Sequence, residues 1–278
     1  MATQSRELLE SLFRAAVAAA HPSHCLPPHL PEPPARGRLI VLAAGKGAGA
    51  LTEAAEEHYL ARIPESQLDG IAVTRHGYGR PSRRVAMVEA GHPVPDEAGL
   101  LGTKRTLEFA DAAGRDDLVL VLLSGGASAN WIAPAANITL AEKQATTRAL
   151  LRSGANIGEI NCVRKHLSRI KGGRLAQRAY PAPVVTLAIS DVPGDDPAVI
   201  GSGPTVPDPT TLADAQSLVR KYHLDLPDSV RRALDDPRNE SPKPGDRIFA
   251  ETAYRIVARP ADALAAAQAR ARQAGYDC

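Results

Sequence analysis

The sequence predicts an α/β protein whose mainly parallel sheet carries helices on both faces. Short apolar runs rich in β-branched residues recur along the chain, segments with apolar residues at helical spacing separate them, and loops rich in glycine, serine or aspartate follow several of the runs. Because a parallel strand pair needs a long crossover, usually a helix, this alternation favours a parallel sheet. Ligands of such sheets bind outside the carboxyl ends of the strands, so these loops are the candidate sites.

Helical spacing and strand-like runs alternate from the amino terminus onward. Apolar residues recur at helical spacing over residues 5–20, and the proline-rich stretch 22–34 cannot continue that helix. The run at 38–44 is almost entirely apolar, as expected of a strand buried on both faces. Further strands are predicted at residues 70–74, 84–89, 118–123 and 183–189. Helices between and after them are predicted at residues 50–62, 96–113, 139–152, 156–168, 210–223 and 227–234.

The last part of the chain predicts a domain boundary. Residues 235–246 are polar and contain prolines, which is typical of a boundary. A strand at 248–258 and a helix at 260–274 follow, and these two cannot bury their apolar faces on each other alone. We therefore predict a domain over residues 1–240 and the start of an incomplete second domain over residues 241–278.

Composition argues against several classes of function. The 33 basic and 31 acidic residues leave a formal charge of +2, too small a global field to recruit nucleic acid or an anionic membrane. No stretch approaches the roughly 18 apolar residues of a membrane span, and charges within the first helix are unlike a secretory signal. The three cysteines form no metal or redox motif, so we expect a protein of the cytoplasm.

The first candidate loop follows the predicted strand at 38–44. Gly45 and Gly47 let backbone amides approach an anion at a helix amino terminus, and Lys46 adds a full positive charge. A tight turn with a solvent-facing lysine explains the same residues. The loop is not a phosphate-binding Walker A motif, but it fits the weak dinucleotide fingerprint G-x-G-x-x-A, which ends at Ala50. No acidic residue ends the next strand, as that fingerprint would require.

The second candidate loop follows the most apolar strand, at 118–123. Ser124 and Ser128 flank the paired glycines Gly125 and Gly126, and together they make a nest of amides and hydroxyls suited to phosphate oxygens. A serine nucleophile is the competing interpretation. The G-x-S-x-G elbow of such enzymes is absent, however.

The third candidate segment is strongly basic. Six basic or potentially basic side chains lie within eleven residues of a nearly neutral protein, from Arg164 to Arg174, which predicts an anion or a set of carboxylates nearby. Lys165, Lys171 and Gly172 are the predicted phosphate contacts. A single helix could not present all six basic side chains on one face, so only some of them can reach one ligand. A solvated basic helix is the alternative.

The fourth candidate loop is acidic and follows the strand at 183–189. Asp191 and Asp195 are candidate ligands for a magnesium ion, and Asp191 is also suited to positioning or deprotonating a substrate hydroxyl. An Asx turn and a helix cap explain Asp195 and Asp196 equally well. Three anion-binding loops and one carboxylate loop together are typical of phosphoryl transfer, in which positioning and charge neutralisation provide most of the catalysis.

Taken in order, these segments resemble one family. They are Val-Leu-Ala-Ala-Gly-Lys-Gly (41–47), Glu-Ala-Gly-His-Pro-Val-Pro-Asp (89–96), Leu-Ser-Gly-Gly-Ala-Ser-Ala (123–129), the basic stretch 161–175, Ser-Asp-Val-Pro-Gly-Asp-Asp (190–196) and Gly-Ser-Gly-Pro-Thr (201–205). The set resembles the class II glycerate 2-kinases, also called MOFRL kinases and often labelled hydroxypyruvate reductases. The likeness runs from about residue 5 to residue 278.

The resemblance implies a Rossmann-like large domain with a smaller second domain across a cleft. It also implies ATP and a divalent metal, Mg²⁺, as cofactors and D-glycerate as the acceptor that becomes 2-phosphoglycerate. Lys46 matches the lysine that the family uses at the phosphate. In this interpretation Lys46 neutralises charge on the transferring group, and Asp191 orients the metal or the glycerate 2-hydroxyl.

The chain departs from the family in two places. Asn130 stands where the family usually has an apolar residue, and the family's carboxyl-terminal domain, with its arginine at the transferring phosphate, has no counterpart here. We therefore expect a truncated form with weak or no activity by itself. Two alternative functions remain open, an NAD(P)-linked hydroxypyruvate reductase and an inactive nucleotide-binding remnant. A homodimer is compatible with the sequence.

Overall fold

The computed structural model describes residues 2–278 and the side chains of residues 5–278. Its strands are β1 (Leu39–Ala44), β2 (Leu68–Arg75), β3 (Val85–Ala90), β4 (Leu118–Leu123), β5 (Val184–Ile189) and β6 (Thr252–Ala258). They form one sheet in the order β3-β2-β1-β4-β5-β6, and every neighbouring pair is parallel. The predicted α/β fold with a Rossmann-like parallel sheet is confirmed.

Helices cover both faces of the sheet and connect its strands, except that β2 passes to β3 through residues 76–84 without a helix. They are α1 (Ala2–Ala20), α2 (Pro22–Cys25), α3 (Ala48–Tyr59), α4 (Glu97–Asp111), α5 (Ala127–Asn130), α6 (Leu140–Arg152), α7 (Ile157–His166), α8 (Arg174–Ala179), α9 (Leu212–Lys221), α10 (Asp228–Asp235) and α11 (Pro260–Gln273). Each long helix predicted from the sequence is present, with ends that differ by a few residues. A membrane crossing would need a helix longer or more apolar than any that residues 2–278 form.

The two central strands are buried along their whole length. All six residues of β1 and all six of β4 are buried, because helices cover both of their faces. Alternate side chains point to opposite faces, so Leu42 packs in one apolar core and Val41 in the other. Replacing such a leucine by alanine typically costs about 2–5 kcal/mol.

The register of β1 and β4 brings two candidate loops together. Ala44, the last residue of β1, pairs with Leu123, the last residue of β4. Leu123 in turn pairs with Ala188 near the end of β5. The loops that begin at Gly45, Ser124 and Ser190 therefore leave the sheet side by side at the carboxyl edge.

The carboxyl-terminal elements differ from the prediction of a second domain that begins at residue 241. β6 pairs with β5 and extends the main sheet, and α11 packs against α1. Tyr254 and Ile256 of β6 contact one sheet core, and Val257 contacts the other. The apolar faces of β6 and α11, for which the sequence indicated no partner, are thus covered by β5 and α1. Each of these partners lies more than sixty residues away along the chain.

Candidate functional site

The loops after β1 and β4 are joined by short backbone contacts. The Lys46 amide donates to the carbonyl of Gly125 over 2.8 Å, and the Gly47 amide donates to Oγ of Ser124 over 2.8 Å. Gly45 has a φ of +115°, and a Cβ on it would lie 2.4 Å from the carbonyl oxygen of Ser124. Only glycine fits at Gly45, so the two loops pack directly against each other as one unit.

Lys46 and Asp191 face each other across this unit. The ammonium of Lys46 lies 3.9 Å from Oδ2 of Asp191, and both side chains are about half exposed. The carboxylate of Asp191 lies against Gly125, where an added Cβ would stand 2.0 Å from Oδ2. We call the group Gly45–Gly47, His92, Ser124–Gly126 and Asp191 the strand-end cleft.

Two backbone amides of the strand-end cleft lack a protein acceptor. In the described part of the chain, neither the Gly125 amide nor the Gly126 amide donates a hydrogen bond. Gly126 has a φ of +93° and precedes the first turn of α5. Successive amides in such a turn form a concave nest that suits phosphate or carboxylate oxygens.

His92 belongs to the cleft although the sequence did not single it out as a site residue. Its ring lies over Gly126, with Nε2 2.9 Å from the position of a Cβ there. Burial, followed by the positive charges of Lys46 and Arg75, lowers the pKa of His92, while Asp191 opposes the shift. His92 is therefore neutral near pH 7. The signal in the sequence was its position, two residues after the end of β3.

The hydroxyls of Ser124 and Ser128 both form hydrogen bonds with other protein groups. Ser124 is buried, and its hydroxyl accepts the Gly47 amide described above. The Ser128 hydroxyl lies 2.8 Å from that of Ser202, which joins the β4 loop to the segment after β5. Neither hydroxyl is free of protein contacts, so the predicted nest consists mainly of the two glycine amides.

Lys171 differs from the prediction that it contacts phosphate. Its side chain is buried, and its ammonium donates to the carbonyls of Ser128 and Trp131 over 2.9 and 3.2 Å. Burial, with the charges of Arg164 and Lys143, holds its pKa well below the ordinary value. The Lys171 ammonium therefore contacts the backbone at α5 and is not exposed to the cleft.

Lys165 and Gly172 also face the interior. The Lys165 ammonium pairs with Oδ1 of Asp208 over 3.3 Å, and both side chains are almost fully buried. The Gly172 amide donates to the carbonyl of Ser202 over 3.0 Å. Both groups are already satisfied by protein atoms, so the structure does not support them as phosphate contacts.

The two predicted metal ligands point to different partners. Asp195 pairs with Nε of Arg259 over 3.3 Å, and its Oδ1 is buried. The described residues contain no group of three or more histidine, cysteine, aspartate or glutamate side chains arranged to hold a metal. Asp191 alone remains open to the cleft. Mg²⁺ usually binds through one or two carboxylates together with substrate phosphates, and Asp191 fits that requirement.

A concave region adjoins Lys46 on the β2 side. It has a volume of about 330 Å³ and is lined by Lys46, Ala50 and the turn 77–81. The Glu89 carboxylate shapes this turn by accepting the amides of Gly77 and Gly79, and these hydrogen bonds lower the pKa of Glu89. Tyr78 is half exposed, with the guanidinium of Arg75 4.9 Å from its ring centre.

Comparisons with known proteins find relatives of similar sequence and fold. Residues 8–235 match the family described as "Domain of unknown function (DUF4147)". The crystal structure of a glycerate kinase from Thermotoga maritima has 36% sequence identity and a TM-score of 0.85, covering 99% of this chain and 64% of that one. A Pyrococcus horikoshii protein of known structure has 34% identity and a TM-score of 0.84, with coverages of 98% and 64%.

Curated relatives carry two kinds of name. A protein of Agrobacterium vitis, provisionally named hydroxypyruvate reductase, is 48% identical over 271 residues, which are 98% of this chain and 60% of that protein. The D-glycerate 2-kinase of Thermotoga maritima is 41% identical over 239 residues, which are 86% of this chain and 55% of that protein. The chain thus spans little more than half the length of these relatives. With the family match and the shared fold, this chain belongs to the glycerate kinase family.

Proposed function

We propose that the chain carries the nucleotide-handling site of an enzyme that uses ATP to phosphorylate D-glycerate to 2-phosphoglycerate. The observation that carries the proposal is the meeting of Lys46 and Asp191, 3.9 Å apart, over the amides of Gly125 and Gly126. A cation, a carboxylate and unused amide donors at one strand edge are the groups that phosphoryl transfer requires.

Each group has a role in this proposal. The Gly125 and Gly126 amides bind phosphate oxygens, and the Lys46 ammonium neutralises charge on the transferring phosphoryl group. Asp191 holds Mg²⁺ jointly with the phosphates, or orients the glycerate hydroxyl. His92, neutral at pH 7, donates or accepts a hydrogen bond beside Gly126 without adding charge.

The rest of the nucleotide has room next to this site. The concave region beside Lys46 is open to solvent and bordered by Tyr78 and Arg80. The Tyr78 ring, with the Arg75 guanidinium 4.9 Å from its centre, suits the flat face of a nucleobase. We propose that the adenosine lies there, with its phosphates directed towards Lys46.

The reductase alternative rests on one motif and on the provisional name of two Agrobacterium vitis relatives. Gly45, Gly47 and Ala50 fit the dinucleotide fingerprint, but β2 ends in Thr74 and Arg75 and so offers no carboxylate to a ribose. Arg75 is instead compatible with a 2′-phosphate. An NADPH-linked reaction is therefore the rival that the experiment must test.

The proposed function can be tested with the purified chain. We expect Mg²⁺-ATP to bind, and the weak ADP release expected of this chain by itself to depend on D-glycerate and to fall in Lys46→Ala. Oxidation of NADPH by hydroxypyruvate, followed by absorbance, would instead favour the reductase. Nucleotide binding without ADP release or NADPH oxidation would favour the inactive remnant. Phosphorus NMR of the product distinguishes 2-phosphoglycerate from its 3-isomer.

We also propose that the protein is located in the cytoplasm. Cys25, Cys162 and Cys278 are unpaired, and Cys162 is buried. Free thiols persist in a reducing compartment, whereas an oxidising one favours their pairing. Periplasmic recovery of the protein after cell fractionation would contradict this location.

A further inference from the structure

A second cavity lies among the helices, away from the strand-end cleft. It has a volume of about 640 Å³ and is bordered by α8, α10 and the segment between α5 and α6. Its volume lies within the range of small-molecule sites, about 300–1,000 Å³. None of its lining residues belongs to the strand-end cleft.

The charge of the lining is strongly positive. Its charged members are five arginines and one aspartate, namely Arg169, Arg174, Arg178, Arg232, Arg238 and Asp236. Asp236 pairs with Arg238, and Arg178 pairs with Asp111 outside the cavity. Three guanidinium groups, those of Arg169, Arg174 and Arg232, therefore line the cavity without an ion pair to a described carboxylate, in a protein whose net charge is only +2.

Arg174 is the most informative of the three. Arg174 is only 9% exposed. One Nη donates to the carbonyl of Asn239 over 2.6 Å, whereas Nε has no protein acceptor among the described residues. Burial lowers the pKa of Arg174, and the carboxylates of Glu240 and Asp208 offset this only in part. An anion bound directly beside the guanidinium would reduce the cost of burying it further.

Arg169 and Arg232 also line the cavity, and they come from separate elements. Both are exposed, and neither side chain forms an ion pair or hydrogen bond with another described residue. Arg232 is nevertheless near enough to Glu142 and Asp228 to lower the pKa of each carboxyl. Arg169 follows α7, whereas Arg232 lies on α10. Side chains from different elements that line one cavity without ion pairs are better explained by a shared ligand than by the solvated face of one helix.

We infer that this arginine cavity binds a small polyanion, a metabolite that carries two or more phosphate or carboxylate groups. Arginine forms paired, charge-assisted hydrogen bonds with either kind of oxyanion. Arg178 contacts Asp111, the last residue of α4, and the chain enters β4 at Leu118 soon after it. One rim of the cavity therefore lies towards the amino ends of the strands, whereas the strand-end cleft lies at their carboxyl ends. The arginine cavity is therefore separate from the nucleotide site and does not depend on the proposed function.

The test is calorimetric titration of the whole chain with inorganic pyrophosphate and, separately, with citrate. Both are run with the wild-type chain and in a Lys46→Ala background, which weakens anion binding at the strand-end cleft. Arg169→Ala and Arg232→Ala should each weaken binding roughly tenfold or more, as expected for a lost charge-assisted contact. Both positions are exposed, so these variants should fold. The matched control is Arg105→Ala, an exposed arginine on α4 outside the cavity lining.

The comparison between the two probes identifies the ligand chemistry. Tighter binding of pyrophosphate than of citrate would indicate a phosphate ester, and the reverse would indicate a polycarboxylate. The inference is overturned if neither probe binds, or if Arg105→Ala weakens binding as much as Arg169→Ala and Arg232→Ala do. Binding that disappears only when Lys46 is replaced would also overturn it, since the anion would then occupy the strand-end cleft.

Discussion

The carboxylate of Asp191 lies so close to Gly125 that a Cβ on Gly125 would stand 2.0 Å from Oδ2. This contact joins the loop after β4 to the loop after β5. It also holds the carboxylate 3.9 Å from the Lys46 ammonium. The geometry of the cleft therefore depends on the absence of a side chain at Gly125 as much as on the two charged groups.

Gly125→Ala should displace Asp191. A methyl group forced into this contact costs about 1–3 kcal/mol of unfolding free energy and should weaken Mg²⁺-ATP binding roughly tenfold. Urea unfolding and calorimetric titration measure the two effects. Gly114→Ala is the matched control, since its nearest neighbour, Oδ2 of Asp117, would lie 3.9 Å away. If removal of the carboxylate in Asp191→Ala does not restore the stability of Gly125→Ala, the steric explanation is wrong.

Lys165→Met should destabilise the fold rather than affect the cleft directly. The substitution leaves the Asp208 carboxylate, which is fully buried, without its cation. Breaking a buried pair from one side costs about 3 kcal/mol or more. Lys104→Met removes a partner from the exposed pair with Glu108 and should change stability by less than about 1 kcal/mol. Equal unfolding free energies for the two variants would contradict the structural role of Lys165.

His92 should titrate below the ordinary histidine value, because burial and then the charges of Lys46 and Arg75 lower its pKa. NMR of the imidazole protons should show Lys46→Gln raising this pKa and Asp191→Asn lowering it, with no change in Lys104→Gln. The unfolded chain binds this proton more readily than the folded one. The contribution of His92 to stability is therefore complete above about pH 6.5 and is lost as the pH falls through the folded pKa. If the pKa of His92 in Lys46→Gln and Asp191→Asn equals that of the wild type, His92 does not lie close to Lys46 and Asp191.

The sheet and its carboxyl edge could be predicted from the sequence. The apolar runs that became β1 and β4 are nearly free of polar residues, which is expected only of central parallel strands. Two central strands end side by side, so the loops at Lys46 and Ser124 had to meet. Asp191 joined them because β5 is the next strand of the sheet.

The basic segment and the carboxyl terminus could not be predicted in the same way. Lys165 and Lys171 face the interior because their partners, Asp208 and the carbonyls of α5, come from distant parts of the chain. The partner of β6 is β5, and the partner of α11 is α1 at the opposite end of the chain. Local periodicity contains no information about such partners. His92 was missed for a related reason, since it follows edge strand β3 and reaches the cleft only through the tertiary fold.

The central claim is that the turns after β1, β4 and β5 together bind the phosphates of a nucleotide, with Lys46 as their cation. Calorimetric titration of the chain with Mg²⁺-ATP tests it most directly. We predict saturable binding that weakens roughly tenfold in Lys46→Ala, as expected for a lost charge-assisted contact, and is unchanged in Lys104→Ala. Binding of equal strength in Lys46→Ala, or no binding by the folded wild-type chain, would contradict the claim.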